Sequence, residues 1–421
     1  MFNFKVFGLL VVTVLICHIT QGEAWAEFSL TPGVSISLEY DDNLFLTDDD
    51  EVDDLSTLIV PKISLLLRRK NLNTELNYGL EFRKYLNETY LDDDKLSDIH
   101  RGDLSGELFP ESSFSILFEG SITRESVDER RSEVAENNTA NVTNRYDGLV
   151  RPRYLYRLTP RITGELAYEY STSQYGNTTS DDIFGSETDD IVDHDVSLLM
   201  EMEYSEKLTL QVDTYYNWHE SDNFDDYEMW YGLAGFVWSP LSDLSLEAKA
   251  GGAITNVDGD KSNLKDSVYR LVLDYSQPEK LSFSTSYTKD FTTSVDEGRY
   301  KWWEVAGVVS YEDRLSGSIR TYYRENTYQF VEREDEVYGV DTEIGYDLTE
   351  KSVAEFFADY SQRKYSPITE KADRYRVGFG LTRSFKNSSI ILRYAFNSND
   401  SDIDINDYRS NIITLSYSVQ F

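Results

Sequence analysis

Leu208-Thr209-Leu210-Gln211-Val212-Asp213-Thr214-Tyr215-Tyr216-Asn217-Trp218 decides the fold class. Its even positions carry Leu208, Leu210, Val212, Thr214, Tyr216 and Trp218, and its odd positions include Gln211, Asp213 and Asn217. Side chains of an extended chain alternate between two faces, so this is a strand with one apolar face. Helical spacing would drive the charge into the apolar stripe. The alternation recurs in Ile162-Gly164-Leu166-Tyr168-Tyr170, in Val196-Leu198-Met200-Met202-Tyr204 and in Leu281-Phe283-Thr285-Tyr287.

The connections between such segments are of two kinds, and the kinds alternate. Short ones fall at 69–71, 109–112, 158–161, 205–207, 239–242, 277–280, 348–351 and 385–388, and are rich in turn formers. Longer polar ones fall at 41–54, 87–98, 124–144, 171–190, 220–226, 256–266, 365–373 and 397–407. Short turn, long loop, short turn is the rhythm of an outer-membrane barrel, with turns in the periplasm and loops outside. The spacing predicts an all-β, antiparallel, up-and-down transmembrane β-barrel of about 20 strands, within 18–22. The first strand covers roughly 30–40 and the last roughly 411–421, with both termini in the periplasm. Alternation is weakest near 99–108 and 226–238. No solenoid or propeller repeat is present.

Both ends of the chain agree with export to that membrane. Met1 to Ala26 carries Lys5, an apolar run from Val6 to Ile16 and the small-x-small triplet Ala24-Trp25-Ala26, which predicts a signal peptide cleaved before Glu27. The run is too short for a spanning helix. One barrel domain, 27–421, remains. Cys17, the single cysteine, lies in the signal segment, so the mature chain has neither disulfides nor thiolate metal ligands. At the other end Leu415, Tyr417, Val419 and Phe421 alternate up to the last residue, a pattern resembling the insertion signal read by the barrel-assembly machinery.

Acidic residues outnumber basic ones 76 to 40, giving a formal charge of -36, which argues against a nucleic-acid partner. Nothing after the signal approaches 18 uninterrupted apolar residues, but a barrel escapes that test because apolar and polar positions alternate. Tyr 31, Phe 21 and Trp 6 against only 8 Pro suit strands.

Ser37-Leu38-Glu39-Tyr40-Asp41-Asp42-Asn43-Leu44-Phe45, then Leu58-Ile59-Val60-Pro61-Lys62-Ile63, with Tyr78 and Arg83-Lys84-Tyr85, resembles the start of the β-barrel porin 2 family. The resemblance covers about residues 30–90. It implies an outer-membrane porin and, as specific function, exopolysaccharide export together with polysaccharide-export components.

The strand faces opposite the apolar ones carry both charges: Glu81, Arg83, Arg151, Arg153, Glu165, Glu169, Glu201, Glu203, Asp213, Arg270, Asp274, Arg320, Arg324, Asp341, Glu343, Arg376 and Arg393, with Glu75 and Glu119 besides. Unpaired charge is too costly in an apolar interior, so this face meets water or opposite charge. A barrel of this size leaves an aqueous channel unless long loops fold in and close it. The expectation is passage of a hydrophilic solute; the alternative is a structural or adhesive barrel whose loops bind a partner.

Three smaller readings complete the picture. The acidic runs at 48–51, 53–54, 92–94, 181–182 and 189–190 could hold Ca²⁺ or Mg²⁺ and bridge to lipopolysaccharide phosphates, although solvated, self-repelling loops explain them as well; no resident cofactor is expected. His100, His194 and His219 are the histidines left after cleavage, and neither His194 nor His219 lies in a nucleophile or zinc motif, so no enzyme is expected. Tyr40, Tyr168, Tyr170, Tyr216, Trp218, Trp302, Trp303, Tyr322, Tyr323 and Tyr394 are expected to form interfacial girdles.

Overall fold

Around the barrel each strand pairs antiparallel with the next, one of them being interrupted, and the last returns to the first. The computed structural model describes residues 27–421 apart from 93–94, 96–98, 127–141, 177–189, 224, 258–263, 278–279, 295–297, 329–331 and 368. The predicted signal peptide and much of the loops at 124–144 and 171–190 lie outside the described residues.

The first strands are β1 (Glu27–Asp41), β2 (Asp54–Arg69), β3 (Leu72–Leu80), β4 (Phe82–Tyr85), β5 (His100–Leu108), β6 (Phe114–Ser126) and β7 (Val142–Thr159). There follow β8 (Ile162–Tyr175), β9 (Ile191–Ser205), β10 (Leu208–Ser221), β11 (Tyr227–Leu241), β12 (Leu244–Val257), β13 (Leu264–Gln277) and β14 (Leu281–Ser294). The remainder are β15 (Gly298–Tyr311), β16 (Leu315–Tyr328), β17 (Glu334–Thr349), β18 (Ser352–Ser366), β19 (Glu370–Ser384), β20 (Ser388–Ser401) and β21 (Tyr408–Gln420). β3 and β4 both pair with β2 in one continuous register, Lys62 opposite Gly79 and Ile59 opposite Phe82. They are one barrel strand interrupted at Glu81, so the closed antiparallel barrel has twenty strands.

Membrane-crossing strands need only about 9–11 residues, yet β7 has 18 and β2 has 16. The surplus moves the boundaries read from sequence. β8 runs to Tyr175 and β20 to Ser401, inside expected loops, while the turn expected at 239–242 lies mostly within β11 and is made by Ser242 and Asp243. Glu312 to Arg314 forms a turn that the turn residues did not mark, and the breaks between β14 and β15 and between β16 and β17 were likewise unmarked. Beyond the bilayer a strand needs no apolar face, so pairing continues where alternation stops signalling it.

The usual burial order is inverted. Leu210, Trp230, Phe379 and Leu415 are 39–58% exposed, and they belong to a continuous apolar outer surface far larger than a water-soluble monomer presents. In the bilayer, lipid covers it. β11 alternates poorly because both its faces are apolar: Trp230 and Phe236 point out, while Tyr227, Met229, Tyr231 and Leu233 are buried on the inner side against Ala253 and Val268.

The β1–β21 ladder closes the barrel, and a clasp lies at the loop end of this seam. Asn43 is fully buried, and its side-chain amide donates to the carbonyls of Thr47 at 2.6 Å and Arg409 at 2.8 Å. The Asp42 carboxylate accepts from the backbone and side-chain N–H groups of Asn411 at 2.6 and 2.7 Å, and Asp41 accepts from the Ser410 hydroxyl at 2.9 Å. Leu46 packs on Tyr408. The Asp41-Asp42-Asn43 run, conspicuous in the sequence, therefore fastens the first loop to the last strand. Asn43→Ala would leave two carbonyls without their donor, a loss of about 1–3 kcal/mol. The urea midpoint of the refolded barrel should fall accordingly; an unchanged midpoint would show that the clasp does not stabilise the seam.

Candidate functional site

The registers carry one parity around the barrel, so the inner wall can be read strand by strand from Gln211, Asp213 and Asn217 on β10. Its charges are mostly paired with neighbours one or two strands away. Arg151 contacts Glu165 at 2.6 Å and Glu169 at 3.8 Å; Arg153 contacts Glu107 at 2.8 Å and Glu165 at 3.7 Å. Glu304 accepts from Arg320 at 2.8 Å and Arg324 at 2.7 Å, and Arg320 also reaches Asp341 at 3.3 Å. Arg83 meets Glu39 at 2.6 Å, Glu81 meets Arg101 at 3.0 Å, Asp213 meets Lys249 at 2.7 Å, Arg270 meets Glu247 at 3.3 Å and Arg376 meets Asp359 at 3.4 Å. Glu201 accepts from Gln211, and Asp274 from Ser284, both at 2.6 Å. Arg393 lies over the Phe357 ring at 4.6 Å, with Arg376 over the same ring at 4.7 Å. Glu203 and Glu343 are exposed. Glu39, Arg101, Glu107, Glu247, Lys249, Glu304 and Asp359 belong to this wall although the sequence reading did not single them out; the same alternation marks them.

The inner charge is uneven. β8, β9 and β10 turn Glu165, Glu169, Asp193, Asp195, Glu201, Glu203 and Asp213 inward with no lysine or arginine. On β18, β19 and β20, half a turn of the barrel away, Arg363, Arg374, Arg376 and Arg393 stand against Glu355, Asp359 and Glu370. Gly378 lets the Phe357 ring lie flat on the wall there, because a Cβ at that position would strike both the ring and the Tyr394 carbonyl.

A cavity of about 850 Å³ opens against β5–β11 on the acidic side. Asp103, Glu119, Asp147, Glu169, Asp193 and Asp195 line it with Arg145 and Arg151, six carboxylates against two arginines and hence a net charge of -4. Its apolar part is formed by Tyr215, Tyr227, Met229 and Phe291.

Two of the expected girdle residues belong inside. Trp302 lies beneath Arg324 at 5.4 Å and Tyr322 beneath Arg320 at 4.3 Å, since neighbours in a strand such as Trp302 and Trp303 cannot share a face. The outward ring contacts include Tyr216 with Trp230, and Trp303 with Tyr323. His194 faces out as well, stacked on Trp218 and hydrogen-bonded to the Tyr168 hydroxyl at 2.7 Å; His100 shares a hydrogen bond with Tyr78. His219 alone of the three turns inward, where its Nδ1–H donates to Asp193 at 2.8 Å.

Loop carboxylates cap strand ends. Asp54 accepts backbone N–H groups from Leu86, Asn87 and Glu88, Asp190 from Tyr175, Asp226 from Ser221 and Asp402 from Lys371. The backbone N–H of Tyr85 and then the Lys84 ammonium hold Asp92 below the usual carboxylate range. Asp407 is pushed up, first by partial burial and further by Asp400, Asp48 and Asp404. Among the described residues no three carboxylates or histidines converge as a metal site, and no helix is long and apolar enough to cross a membrane.

No family model matches the chain, and no curated protein matches it in sequence. Solved structures do match. The siderophore receptor PirA from Pseudomonas aeruginosa is 9% identical, with a TM-score of 0.54 over 95% of this chain and 81% of that one. The FrpB iron transporter from Neisseria meningitidis (F5-1 variant) is also 9% identical, with a TM-score of 0.52 over 93% and 82%. At that identity the likeness is one of fold. A closed twenty-strand barrel with an apolar outer band is a protein of the bacterial outer membrane.

Single cysteines introduced into residues 27–421, which contain none, test the two faces. In proteoliposomes, Arg320→Cys and Arg153→Cys should react with a charged, membrane-impermeant maleimide, whereas Ile319→Cys and Leu415→Cys should be shielded by lipid. The opposite pattern would mean the faces are wrongly assigned.

Proposed function

We propose that this protein is a channel through which hydrophilic solutes cross the outer membrane, with cations and neutral molecules favoured over anions. The observation that carries this reading is the charged inner wall taken with the strand count. Twenty strands about 4.8 Å apart and tilted about 40° enclose a backbone cylinder about 40 Å across. Side chains reaching about 6 Å from each wall leave most of that width to water or loops. Paired charges on such a wall are stable without an apolar core, and the surplus carboxylates on β8–β10 attract cations.

Exopolysaccharide export is the specific form we propose on the resemblance of residues 30–90 to the β-barrel porin 2 family, with polysaccharide-export components as partners. The outward-facing Leu415, Tyr417 and Val419 and the terminal Phe421 are the proposed signal for the barrel-assembly machinery, and lipopolysaccharide the outer-leaflet neighbour.

Refolded mature protein in planar bilayers should give discrete current steps. Reversal potentials in a salt gradient should show cation preference, weakening as ionic strength rises because exposed charges are screened beyond about 10 Å at 0.1 M. Absence of current, both with loops intact and with the longest loops deleted, would overturn the channel reading.

A further inference from the structure

Where β9, β10 and β11 meet the cavity, the inner wall joins two surfaces. One is acidic: Asp193 and Asp195 project from β9 beside Asn217, which lies opposite Asp195 in the β9–β10 register. The other is aromatic: Tyr215 stacks on Tyr231 with ring centres 4.3 Å apart, and Tyr227 stacks on His219 at 4.4 Å, with Phe291 closing the apolar side.

The hydrogen-bond inventory at this junction is one-sided. Asn217 is only 6% exposed; its amide nitrogen donates to Asp193 at 3.0 Å, while its carbonyl oxygen Oδ1 has no hydrogen-bond partner. His219 donates to the same Asp193 oxygen and fixes that carboxylate. Carboxylates can only accept, so Asp193 and Asp195 present acceptors and negative charge to the cavity, with the unpartnered Asn217 Oδ1 buried beside them. Of the two lining arginines, Arg145 is engaged with Asp147 at 2.7 Å, and Arg151 with Glu165 at 2.6 Å and more loosely with Glu169 at 3.8 Å, which stands opposite Asp195 in the β8–β9 register. The missing complement is a cation that carries N–H donors. Aromatic faces beside it favour a cation with an apolar body.

We propose that this cavity binds a small organic cation, a primary ammonium on an apolar body, with the ammonium at Asp193, Asp195 and Asn217 and the body against Tyr215, Tyr227 and Phe291. The inference deepens the channel reading, since the ligand reaches the cavity through the lumen.

Three probes of one shape test it on the full mature barrel, by calorimetry in detergent and by current block in bilayers: 2-phenylethylammonium, its N,N,N-trimethyl analogue and neutral 2-phenylethanol. The primary ammonium should bind at least about tenfold more tightly than the alcohol, as a charge-assisted hydrogen bond provides. The trimethyl analogue, which has no N–H for Asn217, should fall between them. Asp195→Asn should weaken both cations by about tenfold. Asn217→Ala should narrow the preference for the primary over the trimethyl cation. Equal binding of alcohol and ammonium, or unchanged affinities in both variants, would overturn the site; if neither variant folds, the order of the three probes on the unaltered protein decides. Ordered binding without any current would leave the site standing and the channel reading overturned. Current with no order among the probes would do the reverse.

Discussion

A hydrocarbon layer offers no hydrogen bonds, so every backbone N–H and C=O that crosses it must find a partner within the chain. For a chain made of strands the only solution is a sheet without edges, which is why β1 pairs with both β2 and β21. Everything else follows from closure. One face of the sheet then meets lipid and becomes apolar, and the other encloses a space too wide for side chains to fill, so it must be polar. The alternation in Leu208 to Trp218 is this partition written into one strand.

That partition made most of the fold legible. The strand count, the antiparallel order and the alternation of turns with loops rest on local residue pattern, and local pattern is what a barrel needs at each step. The boundaries were less legible, since β7 and β20 extend into water where neither face is constrained. β11 was obscure for another physical reason: its inner side is apolar where it buries Tyr231 and Met229, so the period-two signal is lost.

The site was legible in kind and not in arrangement. Alternation named Arg151, Glu165, Arg320 and Asp341 as inner residues, but pairing depends on register between strands far apart in sequence, such as Arg153 with Glu107, and no single strand encodes it. Glu304, which holds two arginines at once, drew no notice because it sits beside the tryptophan pair that dominates its segment. The acidic loops gave a different lesson. Within the acidic runs, Asp54 and Asp92 spend oxygens on backbone N–H groups where strands leave the sheet, while 93–94 and 181–182 lie outside the described residues.

The clasp at the seam has a bearing on biogenesis. Its two halves, Asp41 to Asn43 and Tyr408 to Asn411, stand at opposite ends of the chain, so a nascent or truncated polypeptide lacking β21 has nothing to which its first loop can fasten. Without that strand the sheet keeps two bare edges, rows of unpaired N–H and C=O groups open to pairing with other chains.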